Sequence, residues 1–277
     1  MRISLTGHEG RLGTALQAQL SGHTLQLLAG DIRDAGHMLA QISDFCPDVV
    51  IHAAALTNVD HCARNPQEAV TVNGVGTQNI AEAARQAGAM LVAVSTNEVF
   101  AGRATQPYQE YDARDPVNPY GYSKYVGEQV VERFAADYMI VRTAWLYGPP
   151  GRNFVQAIIE RAQGGQPLRV VTDEIGSPTY AADLAQAIAQ LIEVGRPGVY
   201  HLTNEGACSR YDFARAIVET IGLKELHIEP ITSDQWERAS TPPPYSPLAN
   251  VFGAALGVTL RPWREALADY ISTLEGG

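Results

Sequence analysis

The sequence is poor in cysteine and lacks any pair of cysteines at metal-binding or redox spacing. Cys46, Cys62 and Cys208 are an odd number of thiols without a C-x-x-C motif, which disfavours a disulfide framework. We therefore expect inert thiols in a reducing compartment. The seven histidines are scattered without ligand spacing, so the sequence predicts no metal site.

Long apolar runs and a surplus of basic residues are also missing. No stretch approaches the roughly 18 apolar residues that a membrane-spanning helix needs, and no signal-peptide pattern marks the N-terminus. With 20 Lys and Arg against 30 Asp and Glu, the formal net charge is −10, which disfavours nucleic-acid and membrane-surface binding. We expect a cytoplasmic protein without nucleic-acid or membrane partners.

Alternating strand and helix patterns fill the first half of the chain. Short apolar strands are predicted at 2–6, 24–28, 48–53, 90–94 and 138–142, with helices at 11–20, before Pro47, at 66–87 and at 118–136. Such β-α-β alternation is typical of an open parallel sheet whose ligands bind beyond the carboxyl ends of the strands. The predicted fold class is α/β, a Rossmann-type doubly wound parallel sheet.

The pattern loosens after about Pro149. Helices are predicted at 153–163, 181–193, 211–221 and 263–274, with short strands at 168–171 and 199–202 and a rigid proline-rich loop at 241–245. We divide the chain into an NAD(P)-binding Rossmann-type domain over 1–148 and a smaller mixed α/β substrate-binding region over 149–277. Chain elements are expected to cross between the two.

Gly7, Gly10 and Gly13 separate the first strand from the first helix. Glycine permits a tight turn there and lets the backbone approach a pyrophosphate at the helix N-terminus. The turn therefore predicts a dinucleotide, NADP(H) or NAD(H). No acidic residue ends the second strand, and Arg11 and Arg33 are candidates for a 2′-phosphate. This favours NADP(H) but leaves the choice open.

Tyr120 and Lys124 lie four residues apart on a predicted helix, so both project from one face. An ammonium beside a phenol favours the ionised phenol, which makes tyrosine an acid or base near neutral pH. Ser95 and Thr96 come directly after the strand at 90–94, at a carboxyl end. The three residues predict carbonyl chemistry, in which Thr96 holds the carbonyl, Tyr120 protonates it and Lys124 lowers the tyrosine pKa.

Further motifs extend along nearly the whole chain. They are Ala-Ala-Ala-Leu-Thr-Asn-Val-Asp at 53–60, Val-Asn at 72–73, Ser-Thr at 95–96, Tyr-Gly-Tyr-Ser-Lys at 120–124, Arg-Thr-Ala-Trp-Leu-Tyr-Gly at 142–148 and Gly-Ser-Pro-Thr at 176–179. With them the chain resembles the extended short-chain dehydrogenases/reductases, and among these the dTDP-4-dehydrorhamnose reductases.

The resemblance implies a role for each matching residue. Catalysis is assigned to Thr96, Tyr120 and Lys124. The implied cofactor-binding residues are Gly7, Gly10, Arg11, Leu12, Gly13, Asp31, Ile32, Ala53, Ala54, Ala55, Thr57, Asn73, Tyr120 and Lys124. The implied substrate-binding residues are Thr57, Val59, Thr96, Asn97, Glu98, Tyr120, Trp145 and Asn153.

The implied reaction is the NAD(P)H-dependent reduction of the C4 keto group of a nucleotide-linked 4-keto-6-deoxy sugar, above all of dTDP-4-dehydro-L-rhamnose to dTDP-L-rhamnose. Such products enter polysaccharide biosynthesis. The implied partner is a nucleotide sugar, and a homodimer stays open.

One departure from the family keeps alternatives open. The family carries Ser-Thr-Asp-Tyr where this chain has Ser-Thr-Asn-Glu at 95–98, and related nucleotide-sugar 4,6-dehydratases carry Ser-Thr-Asp-Glu. Glu98 thus motivates a dehydratase or epimerase that retains NAD, although we favour a polar contact to a sugar hydroxyl. A non-catalytic regulatory subunit of the same fold is a third alternative, against which the intact catalytic set weighs.

Overall fold

Parallel strands form the centre of the protein, whose computed structural model describes residues 1–275. The strands are β1 Arg2–Thr6, β2 Thr24–Leu27, β3 Val49–His52, β4 Met90–Thr96, β5 Tyr138–Thr143, β6 Leu146–Tyr147, β7 Leu168–Val171, β8 Ile175–Gly176, β9 Thr179–Tyr180, β10 Gly198–His201, β11 Cys208–Ser209 and β12 Ile228–Ile231. Six of them make one sheet in the order β10-β5-β4-β3-β1-β2, and all its pairings are parallel.

Helices cover both faces of this sheet. They are α1 Arg11–Gln19, α2 Ala35–Phe45, α3 Val59–Arg64, α4 Pro66–Val70, α5 Thr77–Ala87, α6 Pro119–Phe134, α7 Phe154–Gln163, α8 Ala181–Val194, α9 Arg210–Thr220, α10 Phe252–Ala255 and α11 Trp263–Glu275. A π-helix spans Thr71–Gly76, and short 3₁₀ helices span Asn97–Val99 and Ser233–Gln235. The predicted Rossmann-type α/β class is confirmed.

The strand order changes direction between β1 and β3. The chain runs from β1 outward to β2 and then returns to the other side of β1 to form β3. Loops leaving the carboxyl ends of these strands diverge, which opens a crevice where such sheets bind ligands. The glycine turn after β1 and the segments after β3 and β4 all lie at this edge.

Three large apolar clusters and a smaller one around Phe100 make up the core of the described residues. One face of the sheet packs on α1 and α8, with Leu16 and Ile188 fully buried. The other packs on α2, α5 and α6, with Ile42 and Ile80 fully buried. A third cluster joins α7, α9 and α11 around Phe213. Burying one such side chain stabilises the fold by about 1.5–3 kcal/mol.

The second half of the chain supplies part of the central sheet. Strand β10 pairs with β5 at the edge, and α8 packs against α1 through the same apolar cluster. Of the remaining elements after residue 149, α7, β7, α9, β12 and α11 form a separate group around the third cluster, whereas Leu256 and Val258 pack in the first cluster. A division at residue 148 stays a prediction, but residues 181–201 belong structurally with the first half.

The predicted helix over 66–87 is wrong as a continuous α-helix. The structure has α4, then a π-helix at Thr71–Gly76, then α5. The π-helix buries Asn73, whose side-chain Oδ1 accepts from Leu56 N at 2.8 Å and whose Nδ2 donates to Leu56 O at 3.0 Å. These bonds hold the loop after β3. Because they depend on a residue distant in sequence, the hydrophobic periodicity of the helix does not predict the π-helix.

Other predicted elements differ in smaller ways. Strand β4 continues to Thr96, so the hydroxyl residues predicted to follow the strand are its last two residues. Helix α5 ends at Gly88, which has a left-handed backbone with φ 68°. Ser209 and Asp212 form a capping box that starts α9. The proline-rich loop at 241–245 contains no helix.

Candidate active site

A cleft of about 760 Å³ lies at the carboxyl edge of the sheet. It runs from the glycine turn past the ends of β3 and β4 to Trp145 and Arg210. Most of the sequence-predicted site residues line it, namely Gly7, Gly10, Arg11, Leu12, Gly13, Ala53, Ala54, Ala55, Thr57, Val59, Thr96, Asn97, Glu98, Tyr120, Lys124 and Trp145.

The glycine turn brings the backbone into close contact with the neighbouring strand. Gly7 has φ +68°, and a Cβ on it would lie 2.6 Å from Ala54 N. A Cβ on Gly13 would lie 2.1 Å from Gly7 O. Any larger residue at either position would therefore open the turn.

The N-terminus of α1 differs from those of the other helices around the cleft. Its N-cap is Gly10, which has no side chain to satisfy the first amides. Side-chain oxygens cap α2, α3, α6, α7 and α9. The uncapped N–H groups at the start of α1 face the cleft, at the positive end of the helix dipole. This end of the helix therefore suits the pyrophosphate of a dinucleotide.

Thr96, Tyr120 and Lys124 converge in the middle of the cleft. The Thr96 hydroxyl donates to Asn97 Oδ1 at 3.2 Å and accepts from Glu98 N at 3.3 Å. Tyr120 is the second residue of α6, and Lys124 lies one turn later. The Lys124 ammonium donates to Val94 O at 2.8 Å, on the neighbouring strand.

Burial controls the acid–base properties of this pair. Burial raises the pKa of Tyr120, Glu98 raises it further, and Thr96 partly offsets both. Burial lowers the pKa of Lys124 to about 8, against the opposing effect of Glu128. The sequence expectation of a lowered tyrosine pKa is therefore wrong for the protein alone. Tyr120 is held as the neutral phenol, the form that can donate a proton.

Glu98 lies beside Tyr120 and lines the same cleft. Its carboxylate accepts from Asn118 Nδ2 at 2.7 Å. Burial raises the pKa of Glu98, and Asn118 and Arg210 only partly offset the effect. A carboxyl group with a raised pKa takes up a proton more readily, and it accepts a hydrogen bond from a sugar hydroxyl when ionised and can donate one when protonated.

Asn97, the residue before Glu98, hydrogen-bonds another part of the chain. The Asn97 amide donates to Ser246 Oγ at 2.7 Å, so it links β4 to a segment of the second half of the chain. The same segment is anchored by Asp60 Oδ1, which accepts from Ser240 N at 2.9 Å. Asn118 Nδ2 also donates to Thr241 O at 3.1 Å. These bonds fix the 238–246 segment against the sheet.

Trp145 stands at the far end of the cleft in a left-handed conformation, with φ 44°. A Cβ on Gly176 would lie 2.5 Å from its ring, so the glycine of the Gly-Ser-Pro-Thr motif lets the indole lie flat. The guanidinium of Arg210 stacks on the ring, 3.6 Å from the ring centroid. Trp145 is thus a cleft-lining platform rather than an ordinary core residue.

Four predicted binding residues lie outside the lining of the cleft. Asn73 is buried, and besides Leu56 it contacts Ser123 Oγ at 2.9 Å. Asn153 caps α7 and donates to Tyr270 Oη at 2.8 Å. Both amides have protein partners, and their implied ligand contacts stay predictions.

The other two residues follow β2. Ile32 is buried against Gly76. Asp31 is exposed and forms an ion pair with Arg33, whose hydrogen bonds lower the Asp31 pKa to about 2. The ion pair uses Nε and Nη2 of Arg33 and leaves the Nη1 group for a 2′-phosphate.

A buried ionic network behind Lys124 was not assigned a role from sequence. Glu128 accepts from Ser95 Oγ at 2.6 Å, from Arg142 Nε at 2.8 Å and from Arg114 at 2.9 Å. Burial alone would raise the pKa of Glu128, but Arg142, Ser95 and Arg114 lower it on balance. The network joins β4, β5 and α6, and so holds the helix that carries Tyr120 and Lys124.

Within residues 1–275, no group of three or more His, Cys, Asp or Glu side chains is arranged to hold a metal ion. Over the same residues, no helix has the length and apolarity needed to cross a membrane.

The sheet has six parallel strands in this order, with a glycine turn at its switch point. A Thr, Tyr and Lys set lies at its carboxyl edge. Together these features define an extended short-chain dehydrogenase/reductase. The RmlD substrate binding domain family matches residues 1–275. The chain belongs to this family, and the resemblance to dTDP-4-dehydrorhamnose reductases is confirmed.

Similar proteins cover almost the whole chain. The spore coat polysaccharide biosynthesis protein SpsK of Bacillus subtilis (strain 168) is 39% identical over 275 residues, covering 98% of this chain and 96% of that protein. A dTDP-4-dehydrorhamnose reductase of Mycolicibacterium smegmatis is 39% identical over 284 residues, covering 99% and 86%. The crystal structure of dTDP-4-dehydrorhamnose reductase from Bacillus anthracis in complex with NADP has a TM-score of 0.94 at 35% identity, covering 98% and 99%.

Proposed function

We propose that the protein reduces the C4 keto group of dTDP-4-dehydro-L-rhamnose to give dTDP-L-rhamnose, with NADPH or NADH as reductant. The observation that carries the proposal is the convergence of Thr96, Tyr120 and Lys124 in one cleft that also contains an uncapped helix N-terminus behind a glycine turn. Relatives that carry the name of this reductase support the choice of substrate.

The cofactor would extend along the cleft from the glycine turn toward β4. The amides at Gly10 to Leu12 would hold its pyrophosphate, and the backbone at Ala53 to Ala55 would line its path toward Tyr120. A reduced nicotinamide bound there supplies a hydride to the carbonyl carbon.

The protein's own residues supply the proton and the electrostatic support. Tyr120 donates its phenolic proton to the carbonyl oxygen, and its raised pKa keeps that proton in place until negative charge develops. The Thr96 hydroxyl hydrogen-bonds the same oxygen as it becomes an alkoxide. Lys124, one helical turn away, stabilises the tyrosinate that remains.

The test is to incubate purified protein with dTDP-4-keto-6-deoxy-L-mannose and either reduced cofactor. We expect cofactor oxidation, followed by nicotinamide absorbance, and equimolar dTDP-L-rhamnose by chromatography. Product formation without cofactor oxidation, or no turnover with either cofactor, would contradict the proposal.

Glu98 supports a second candidate, a dehydratase or epimerase with retained NAD. Its carboxyl group lies beside Tyr120 and has a raised pKa, which suits a base that removes a proton next to a carbonyl. Turnover in D₂O distinguishes the two: a reductase leaves the ring positions next to C4 unlabelled, whereas proton abstraction there introduces deuterium. We expect no label, and retention of activity in Glu98→Gln.

We also propose a cytoplasmic location. The three cysteines are free thiols, consistent with a reducing compartment, and reduced dinucleotides are cytoplasmic reagents. The homodimer remains a prediction, which sedimentation of the purified protein would test.

A further inference from the structure

Arg210 is a cation without a protein partner at the end of the active-site cleft. Within residues 1–275 its guanidinium forms no side-chain hydrogen bond and no ion pair within 4 Å, although Glu174 and Glu98 are near enough to favour its charge. It is held by stacking on Trp145, 3.6 Å from the ring centroid, and by Phe154 at 5.2 Å. Stacking fixes the plane of a guanidinium and leaves its N–H groups free to bind a ligand.

The position of Arg210 is unfavourable for folding. It is the first residue of α9, where the helix dipole disfavours a cation. Burial lowers its pKa to about 10, although Glu174 and Glu98 favour the charge, so it is still a cation at neutral pH. A partly buried charge that gains no partner is costly, and such a cost is expected where a ligand supplies the missing anion.

A second cavity, of about 300 Å³, lies on the other side of Arg210. Arg210 is the single residue that lines both this cavity and the catalytic cleft. The second cavity has aromatic walls, Phe154 and the 43%-exposed Trp236. Its lining contains five arginines and one glutamate in a protein of net charge −10.

Most of these arginines are already paired. Arg152 contacts Glu160, Arg169 contacts Glu229 and Arg238 contacts Glu174. Among the described residues, Arg161 and Arg210 form no such ion pair, and of these two only Arg210 lies at the junction of the two cavities.

We propose that Arg210 binds the diphosphate of the nucleotide-sugar substrate, with the sugar in the catalytic cleft and the nucleoside in the second cavity. The inference rests on the proposed function. In a nucleotide sugar the diphosphate lies between the sugar and the nucleoside, and Arg210 occupies the same place between the two cavities. A planar guanidinium can contact two phosphate oxygens at once, and the aromatic walls suit a planar base.

Calorimetric titration with dTDP tests this assignment without requiring turnover. For Arg210→Gln we expect dTDP affinity to fall about ten- to a hundredfold, since a hydrogen bond to a charged group is lost. Affinity for NADPH, which binds at the other end of the cleft, should stay unchanged. Arg210→Lys should recover only part of the loss, because lysine keeps the charge but not the planar fork.

The matched control is Arg85→Gln, at the exposed end of α5, which removes the same charge far from both cavities. It should leave dTDP affinity at the wild-type value. In steady-state kinetics, Arg210→Gln should raise the KM for the keto sugar with little change in kcat, as expected when binding is lost equally in ground and transition states.

Several results would overturn the assignment. The first two are an unchanged dTDP affinity in Arg210→Gln and an equal loss of dTDP affinity in Arg85→Gln. The others are a parallel loss of NADPH binding in Arg210→Gln with a lower melting temperature, and no dTDP binding by the wild type. The two proposals fail separately. Arg210-dependent dTDP binding without keto-sugar reduction contradicts the proposed function alone. Reduction with an unaffected Arg210→Gln variant contradicts this inference alone.

Discussion

Gly121 lies against the backbone of Glu98, so that a Cβ on Gly121 would come within 2.1 Å of the Glu98 carbonyl oxygen. Gly121 is the third residue of α6, directly after Tyr120, and its amide donates to the N-cap Asn118 at 2.8 Å. The helix that carries the proton donor therefore packs directly on the segment that carries Thr96 and Glu98. This contact sets the distance between the proton donor and the hydroxyl that shares its target.

Gly121→Ala should displace α6 and lower kcat. We expect unfolding free energy to fall by about 1–3 kcal/mol, the usual cost of overpacking, and activity to fall more than stability explains. The control is Gly36→Ala in the first turn of α2, where the nearest atom, Asp34 Oδ1, is 3.7 Å away. That substitution should stabilise the protein by about 0.5–1 kcal/mol. Chemical denaturation measures the unfolding free energy of both variants, and steady-state kinetics measures their kcat.

Tyr120→Phe should abolish proton donation while leaving the cleft intact. We expect kcat to fall by about 10²–10⁴-fold, the usual contribution of a positioned general acid, with little change in cofactor affinity. Tyr122→Phe is the matched control, because Tyr122 is on the same helix and 52% exposed. Equal rates for the two variants would remove Tyr120 from the mechanism.

The pH dependence should follow Lys124. Burial lowers the pKa of this lysine to about 8, and only its cationic form stabilises the tyrosinate. As pH rises through this value the charge is lost, so kcat/KM should decline on the alkaline side. Lys124→Arg keeps its charge throughout this range, and its lower activity should show no such decline. An unchanged alkaline limb in that variant would assign it to another group.

Two buried histidines should weaken the fold in mild acid. Burial lowers the pKa of His52 and of His201 to about 3. Between the unfolded value near 6.5 and this value, the unfolded state binds more protons, so stability falls as pH falls. Each histidine contributes about 1.4 kcal/mol per pH unit well below 6.5.

Urea unfolding at neutral pH and in mild acid measures this slope. His201 Nε2 accepts from Arg142 at 3.2 Å and Nδ1 donates to Tyr108 O at 3.0 Å, which requires the neutral ring. His201→Gln should remove about half of the slope, whereas the exposed His37→Gln should leave it unchanged. A wild-type stability independent of pH in this range would contradict the assignment.

Local patterns predicted the elements that local forces determine. The buried β-branched run at β3 and the glycine at position 88 are signals within one element, and both correspond to the structure. Strand β12 was missed because it reads Ile-Glu-Pro-Ile, whose proline is uncommon in strands. It forms because β7 is available as a partner.

The sequence predicted those site residues that belong to recognisable motifs. Thr96, Tyr120 and Lys124 meet in the cleft because the parallel sheet brings the carboxyl ends of its strands to one edge. Arg210 carried no signal, since one arginine after a helix cap is commonplace. Its role depends on the indole beneath it and on the cavities at either side.

The edge strand β10 has a consequence for how the chain acquires its structure. Until residue 201 has been synthesised, β5 has an unpaired hydrogen-bonding edge, and the apolar face of α1 lacks α8. A chain cut at residue 148 would expose both the free edge of β5 and the apolar face of α1. Exposed strand edges and apolar surfaces favour association between chains. The edge strand of the sheet is therefore completed only by a parallel crossover that brings Gly198–His201 back to β5 from more than fifty residues further along the chain.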